Sequence, residues 1–148
     1  AEPKRGGTLR VAVFSDHSTF DPTKALATPD ILVIQQAYDN LILLDPDDLS
    51  LIPMLAKSWE ANDDLTQYTF RLRQGVKFHH GKEFKAEDVV ATFDRLLDPE
   101  LDSPARSSLT VIKEMVILND YTVRFDLSAP NAFSAISDEM SVAMLHRG

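Results

Sequence analysis

The sequence predicts a mixed α/β fold of α+β character, with antiparallel strands and helices closing around one core. Three observations carry that reading. Two segments alternate apolar and polar residues on either side of short polar turns. The segment between them repeats its apolar residues at helical spacing. Hydrophobic residues make up 44% of the chain and charged residues 26%, the balance of an ordinary globular protein. Its 148 residues suit one domain and are few for two lobes closing on a ligand.

In chain order, residues 8–14 alternate Leu9, Val11 and Val13 with Arg10 and Ala12, the two-residue period of a strand. Residues 15–29 carry Ser, Asp, His, Thr and two prolines without apolar periodicity. They read as a long ordered loop, and loops of that length are commonly functional. Thr28-Pro29-Asp30 predicts a helix start, with Thr28 as cap, Pro29 in the first turn and Asp30 at the positive helix end. That helix runs to about Tyr38. Residues 40–44 are a short apolar run stopped by Asp45-Pro46-Asp47-Asp48, whose turn chemistry divides the chain there.

Residues 57–61 and 67–73 flank the turn Asn62-Asp63-Asp64 and predict a hairpin with Tyr68, Phe70 and Leu72 on one face. Residues 111–118 and 121–127 flank Asn119-Asp120 and predict a second. Its apolar face carries Tyr121, Val123, Phe125 and Leu127, and its polar face Thr122, Arg124 and Asp126. Between the hairpins, residues 86–97 line up Val89, Val90, Phe93, Leu96 and Leu97 as one helical stripe. Glu87 and Asp88 favour its start, and Asp98-Pro99 ends it.

Several function classes fall away on composition. Cysteine is absent, which removes disulfides, thiol nucleophiles and Cys-based zinc sites. A net charge of −8, with no basic run longer than Lys4-Arg5, argues against nucleic acid and anionic lipid as partners. The apolar runs are far shorter than the roughly 20 residues of a membrane span. The opening Ala1-Glu2-Pro3-Lys4 fits either a mature terminus left by signal-peptide removal or an arbitrary boundary.

Candidate chemistry is sparse. His79-His80, with Glu83 and Glu87 nearby, invites a metal hypothesis and a His/carboxylate hydrolase, but neighbouring residues of a strand point to opposite faces. A structural or surface role fits the pair better, and it lacks the helical H-E-x-x-H spacing. The acid pairs Asp47-Asp48, Asp63-Asp64, Glu87-Asp88 and Asp138-Glu139 fall in turns and helix ends, where solvation and capping account for them. Trp59, Tyr68, Phe70, Phe78, Phe84 and Phe93 match the inward faces of the predicted elements and read as core. No G-x-S-x-G elbow or phosphate-binding loop occurs. These residues assign no catalytic, metal or cofactor site.

A specific resemblance emerges from longer stretches. Tyr38-Asp39-Asn40-Leu41, Leu55-Ala56-Lys57-Ser58-Trp59-Glu60, and the run from Tyr68-Thr69-Phe70-Arg71-Leu72 to Gly75-Val76-Lys77-Phe78-His79 come first. Ala86-Glu87-Asp88-Val89-Val90 and Asp120-Tyr121-Thr122-Val123-Arg124-Phe125 follow, with Pro130-Asn131 after them and Gly6-Gly7-Thr8-Leu9 and Asp21-Pro22 before. In order and spacing this resembles the family 5 extracellular solute-binding proteins, the dipeptide, oligopeptide and nickel-type group that feeds ABC importers. The sequence departs from the family pattern at three places. Asp64-Leu65 stands for Asp-Gly, His79-His80-Gly81 for His-Asp-Gly, and Lys85-Ala86-Glu87 for Thr-Ala-Glu. The Lys85 departure removes a hydroxyl cap, a loss of about 1 kcal/mol unless another group substitutes.

The resemblance implies a periplasmic binding protein type II-like fold in a longer, two-lobed protein. Residues 1–44 would open the first lobe, and residues 45–148 would form a small, mostly antiparallel and incomplete extra domain. It implies a non-enzymatic protein without cofactor, periplasmic after signal-peptide removal, that captures a peptide or similar small solute and delivers it to an ABC transporter permease. Nickel chelates, glutathione, haem and sugars are the other solutes of the group. The absence of an N-terminal cysteine favours a soluble over a lipid-tethered form. The segment it places at the ligand cleft is Ser15, Asp16, His17, Ser18, Thr19 and Phe20, which follows the predicted first strand, where ligands collect in open α/β sheets. A freestanding protein-interaction module, marked by an exposed apolar patch on the Tyr121 to Leu127 hairpin, is the alternative.

Overall fold

In a strand, a residue pattern of period two puts every second side chain on one face, and a single sheet then needs one cover for that face. The computed structural model describes residues 6–8, 10–25, 27–45 and 47–131 and meets this need with one helix. The chain runs α1 (Thr28–Ile34), β1 (Ile42–Leu44), β2 (Leu51–Pro53), β3 (Ala56–Ala61), β4 (Gln67–Leu72), α2 (Ala86–Leu97), α3 (Arg106–Leu109), β5 (Ile112–Asn119) and β6 (Thr122–Leu127). Strands β1 and β2 form a two-stranded sheet, and the other four form an antiparallel sheet in the order β3-β4-β6-β5. Both predicted hairpins are present, and they join through β4 and β6, which pair Gln67 with Asp126 and Arg71 with Thr122.

The inner face of the sheet presents Tyr68, Phe70, Leu72, Val123, Phe125 and Leu127, all buried. Helix α2 covers it with Val89, Phe93 and Leu96. Phe125 is the meeting point, edge-on to Phe93 at 5.0 Å and to Phe70 at 5.4 Å between ring centroids. Edge-to-face pairs of this kind add about 0.5–1.5 kcal/mol beyond the area they bury. Leu41 and Ile42 join the same core, and the β1–β2 hairpin closes where the Asp45 amide donates to the Ser50 carbonyl at 2.8 Å.

Each departure from the family pattern has a physical compensation. Leu65 adopts a positive φ of 55°, a conformation glycine takes without penalty, and the turn is held by the Asn62 side chain, whose Oδ1 accepts the Thr66 and Gln67 amides at 2.9 Å. His79 and His80 lie in a turn whose Gly81 has φ 90°, and Nδ1 of His80 accepts the Lys82 amide at 3.3 Å, as a carboxylate there would. Lys85 provides no cap, but the buried Asp88 carboxylate reaches back to the Lys85 amide at 2.9 Å, the reciprocal half of a capping box. The Lys85 ammonium instead pairs with Asp120 at 2.6 Å and ties the helix start to the β5–β6 turn.

Two expectations are corrected. The described residues of the 8–14 segment form no strand: Val11 and Val13 stand 70% and 48% exposed, and no strand pairs with them. Alternation alone cannot make a strand without a partner for its backbone groups; Leu9 lies outside the described residues. Helix α1 ends at Ile34 and continues only as turns to Tyr38, and its cap position is Ala27, with Thr28 already helical. The Asp138-Glu139 pair and both chain termini lie outside the described residues.

Two stability measurements follow. Phe93→Ala leaves a cavity under the sheet and should lower the unfolding free energy by about 3–5 kcal/mol in urea titration. Leu65→Gly relieves the positive φ and should raise it by up to about 1 kcal/mol, and a loss instead would show that the Leu65 side chain outweighs the strain.

Candidate functional site

The loop at residues 15–20 is organised from outside itself. Asp30, in the first turn of α1, is 2% exposed, and its Oδ1 accepts the backbone amides of Ser18 and Thr19 at 2.5 and 3.3 Å. Its Oδ2 accepts the Ser18 hydroxyl at 2.8 Å. Thr19 Oγ1 accepts the Asp21 amide at 3.0 Å, which closes the turn that follows. The rings of His17 and Phe20, on either side of Ser18 and Thr19, lie 4.2 Å apart between centroids with a tilt of 53°.

A second anchor binds the far end of the loop to α2 and to the segment that precedes α3. Asp21 Oδ1 accepts the amide and hydroxyl of Thr23 at 3.0 and 2.7 Å, and its Oδ2 pairs with Arg95 of α2 at 2.6 Å. The buried Ser103 hydroxyl donates to the Thr23 carbonyl at 2.7 Å. A loop otherwise short of apolar residues is thus fixed by hydrogen bonds to two acidic side chains.

Of the six predicted residues, Ser15, Asp16, His17, Ser18 and Phe20 are exposed and Thr19 is half-buried. The structure brings them together as one contiguous surface. It divides them by role, since the polar groups of Ser18 and Thr19 are engaged within the protein while His17 and Phe20 face outward. Asp30, Asp21 and Arg95 were not legible as loop anchors, because their partners lie 12 and 74 positions away in sequence.

His79 and His80 are exposed beside a pocket of about 300 Å³ that Tyr38, Leu55, Phe78 and Phe84 also line. Among the described residues no three His, Asp or Glu side chains gather as a metal site, and no helix is long and apolar enough to cross a membrane. Glu83 accepts the Gly75 amide and the Tyr121 hydroxyl, both at 2.8 Å, and so braces its loop against the second hairpin. The apolar side of the 121–127 strand faces the core and its outer side carries Thr122, Arg124 and Asp126, while its hairpin partner β5 exposes Ile117 and Leu118 near the turn.

The anchoring carboxyls titrate below the ordinary range. For Asp30 the Ser18 amide is the main cause, followed by the Ser18 hydroxyl. For Asp21 burial pushes upward and is outweighed by the hydrogen bonds from Thr23 and by Arg95. A lowered folded value means that the stability is complete above the unfolded carboxyl value of about 3.9 and is lost as pH falls through the folded values. In thermal melts from neutral pH downward, the unaltered protein should hold its midpoint to about pH 4 and then fall more steeply than Asp30→Asn. Parallel curves would contradict the assignment.

A sequence model described as "Bacterial extracellular solute-binding proteins, family 5 Middle" matches residues 50–146. The chain is 35% identical over 89% of its length to di/tripeptide-binding protein 2 of Pseudomonas aeruginosa strain UCBPP-PA14, and 34% identical over 91% to the glutathione-binding protein GsiB of Escherichia coli strain K12. It covers 28% and 26% of those proteins, about a quarter of their length. The fold superposes on NikZ from Campylobacter jejuni in complex with Ni(L-His), with a TM-score of 0.78 and 28% identity over 89% of this chain and 26% of that one. The periplasmic binding protein fold and the family are therefore those the sequence predicted, and the chain belongs to the family 5 bacterial extracellular solute-binding proteins.

Proposed function

We propose that these residues are the N-terminal part of the substrate-binding component of an ABC importer. The parent protein captures a di- or tripeptide, or a solute of similar size and polarity, in the periplasm and delivers it to the membrane permease. It performs no catalysis. Residues 1–44 open the first lobe and residues 45–148 form its small extra domain, continuous through the β1–β2 hairpin. The loop of Ser15, Asp16, His17, Ser18, Thr19 and Phe20 faces the ligand.

The observation that carries the reading is the 35% identity to a di/tripeptide-binding protein across 89% of this chain. Exposed polar and aromatic groups on a hydrogen-bonded loop suit it physically, since rigid groups lose little entropy on binding. The similarity to a protein holding Ni(L-His) makes an amino-acid metal chelate the second class to screen.

Thermal melts of the complete protein with trialanine, glutathione and nickel–histidine test the proposal. A peptide at a hundredfold excess over its dissociation constant should add about 2.7 kcal/mol and raise the midpoint. Residues 1–148 alone, without an opposing lobe, should give no saturable heat with the same peptide in isothermal titration. A midpoint raised only by the chelate would replace the peptide reading, and tight binding by residues 1–148 would overturn the two-lobe capture.

A further inference from the structure

We propose that Asp30 is the positioning residue of the ligand-facing loop: its buried carboxylate gathers the Ser18 and Thr19 amides and the Ser18 hydroxyl, and so sets the orientation of His17 and Phe20. The inference rests on the reading of residues 15–20 as the ligand-facing segment and adds the residue on which that segment depends.

The chemistry is that of a carboxylate filled by donors. Two oxygens offer about four acceptor sites, and here Oδ1 takes two amides and Oδ2 one hydroxyl. Hydrogen bonds to an ionised acceptor are roughly twice as strong as neutral ones. Asp30 is itself held in place, following Pro29 in the first turn of α1, where the helix dipole favours a negative charge. A fixed, buried anion therefore draws a loop 12 residues upstream onto the helix.

The consequence reaches the exposed groups. Ser18 and Thr19 lie between His17 and Phe20, so the clamp fixes the backbone from which both rings project, and the rings lie 4.2 Å apart. Phe20 is 58% exposed, and an aromatic ring so exposed has little packing to hold it. What holds the pair is the clamped backbone between them. The polar groups of Ser18 and Thr19 are engaged internally, and the loop meets solute through Asp16, His17 and Phe20, a surface that suits an apolar or aromatic side chain of the ligand.

The test uses the complete protein, trialanine as probe, and four variants: Asp30→Ala, Asp30→Asn, Ser18→Ala and the core control Val89→Ala. Amide hydrogen exchange without ligand reads the clamp, and isothermal titration reads affinity. Asp30→Ala should speed exchange at Ser18 and Thr19 by about tenfold or more and weaken trialanine by about five- to tenfold, with Asp30→Asn and Ser18→Ala between it and the unaltered protein. Val89→Ala should lower the melting midpoint and leave the affinity unchanged. Unaltered exchange at residues 18 and 19 would overturn the role of Asp30. Faster exchange with unchanged affinity would instead overturn the placement of the loop at the ligand, and with it the positioning.

Discussion

The apolar stripe of α2 must be taken out of water, and the inner face of the β3-β4-β6-β5 sheet is the surface that takes it. Val89, Phe93 and Leu96 meet Phe70, Val123 and Phe125 in one cluster, and the rings of Phe93 and Phe70 both lean on Phe125. Neither partner is stable alone, since a 12-residue helix is marginal in water and a sheet with one apolar face is only half built. The remaining connections serve this contact. Asp88 starts the helix, the Lys85–Asp120 pair docks that start on the second hairpin, and Glu83 fixes the loop leading into it.

The same helix reaches the candidate site from its other end. Arg95, in its last turn, holds Asp21, and Ser103 beyond it holds Thr23. The loop is thereby tied to the helix that covers the sheet at one side and to Asp30 at the other. Exposed ion pairs contribute little to stability, so the Arg95–Asp21 contact matters for where the loop sits more than for how tightly the protein folds.

Patterns that repeat within a few residues were legible in the sequence. The bounds of α2, both hairpins and their buried faces follow from periodicity and turn chemistry. The pairing of β4 with β6 was not legible, because nothing local to residues 67–72 says which strand will lie beside them. The 8–14 segment shows the converse error, an alternating pattern without a partner. Family resemblance singled out residues 15–20, and whether they meet ligand rests on proposal. Their anchors escaped notice because an aspartate after Thr-Pro reads first as a helix-start residue. In the fold it does that and also neutralises donors from a loop that the sequence leaves distant.

The order of strands in the sheet also dictates an order in time. Each hairpin closes over a short turn and can form as soon as its own residues are available. The central β4–β6 ladder spans the whole α2 and α3 excursion, and the entropy of closing that loop must be met before its hydrogen bonds return anything. On a ribosome the first hairpin therefore waits, with one backbone edge of β4 unpaired, until β6 has been synthesised. Secretion before folding would spare the cytoplasm that half-finished sheet.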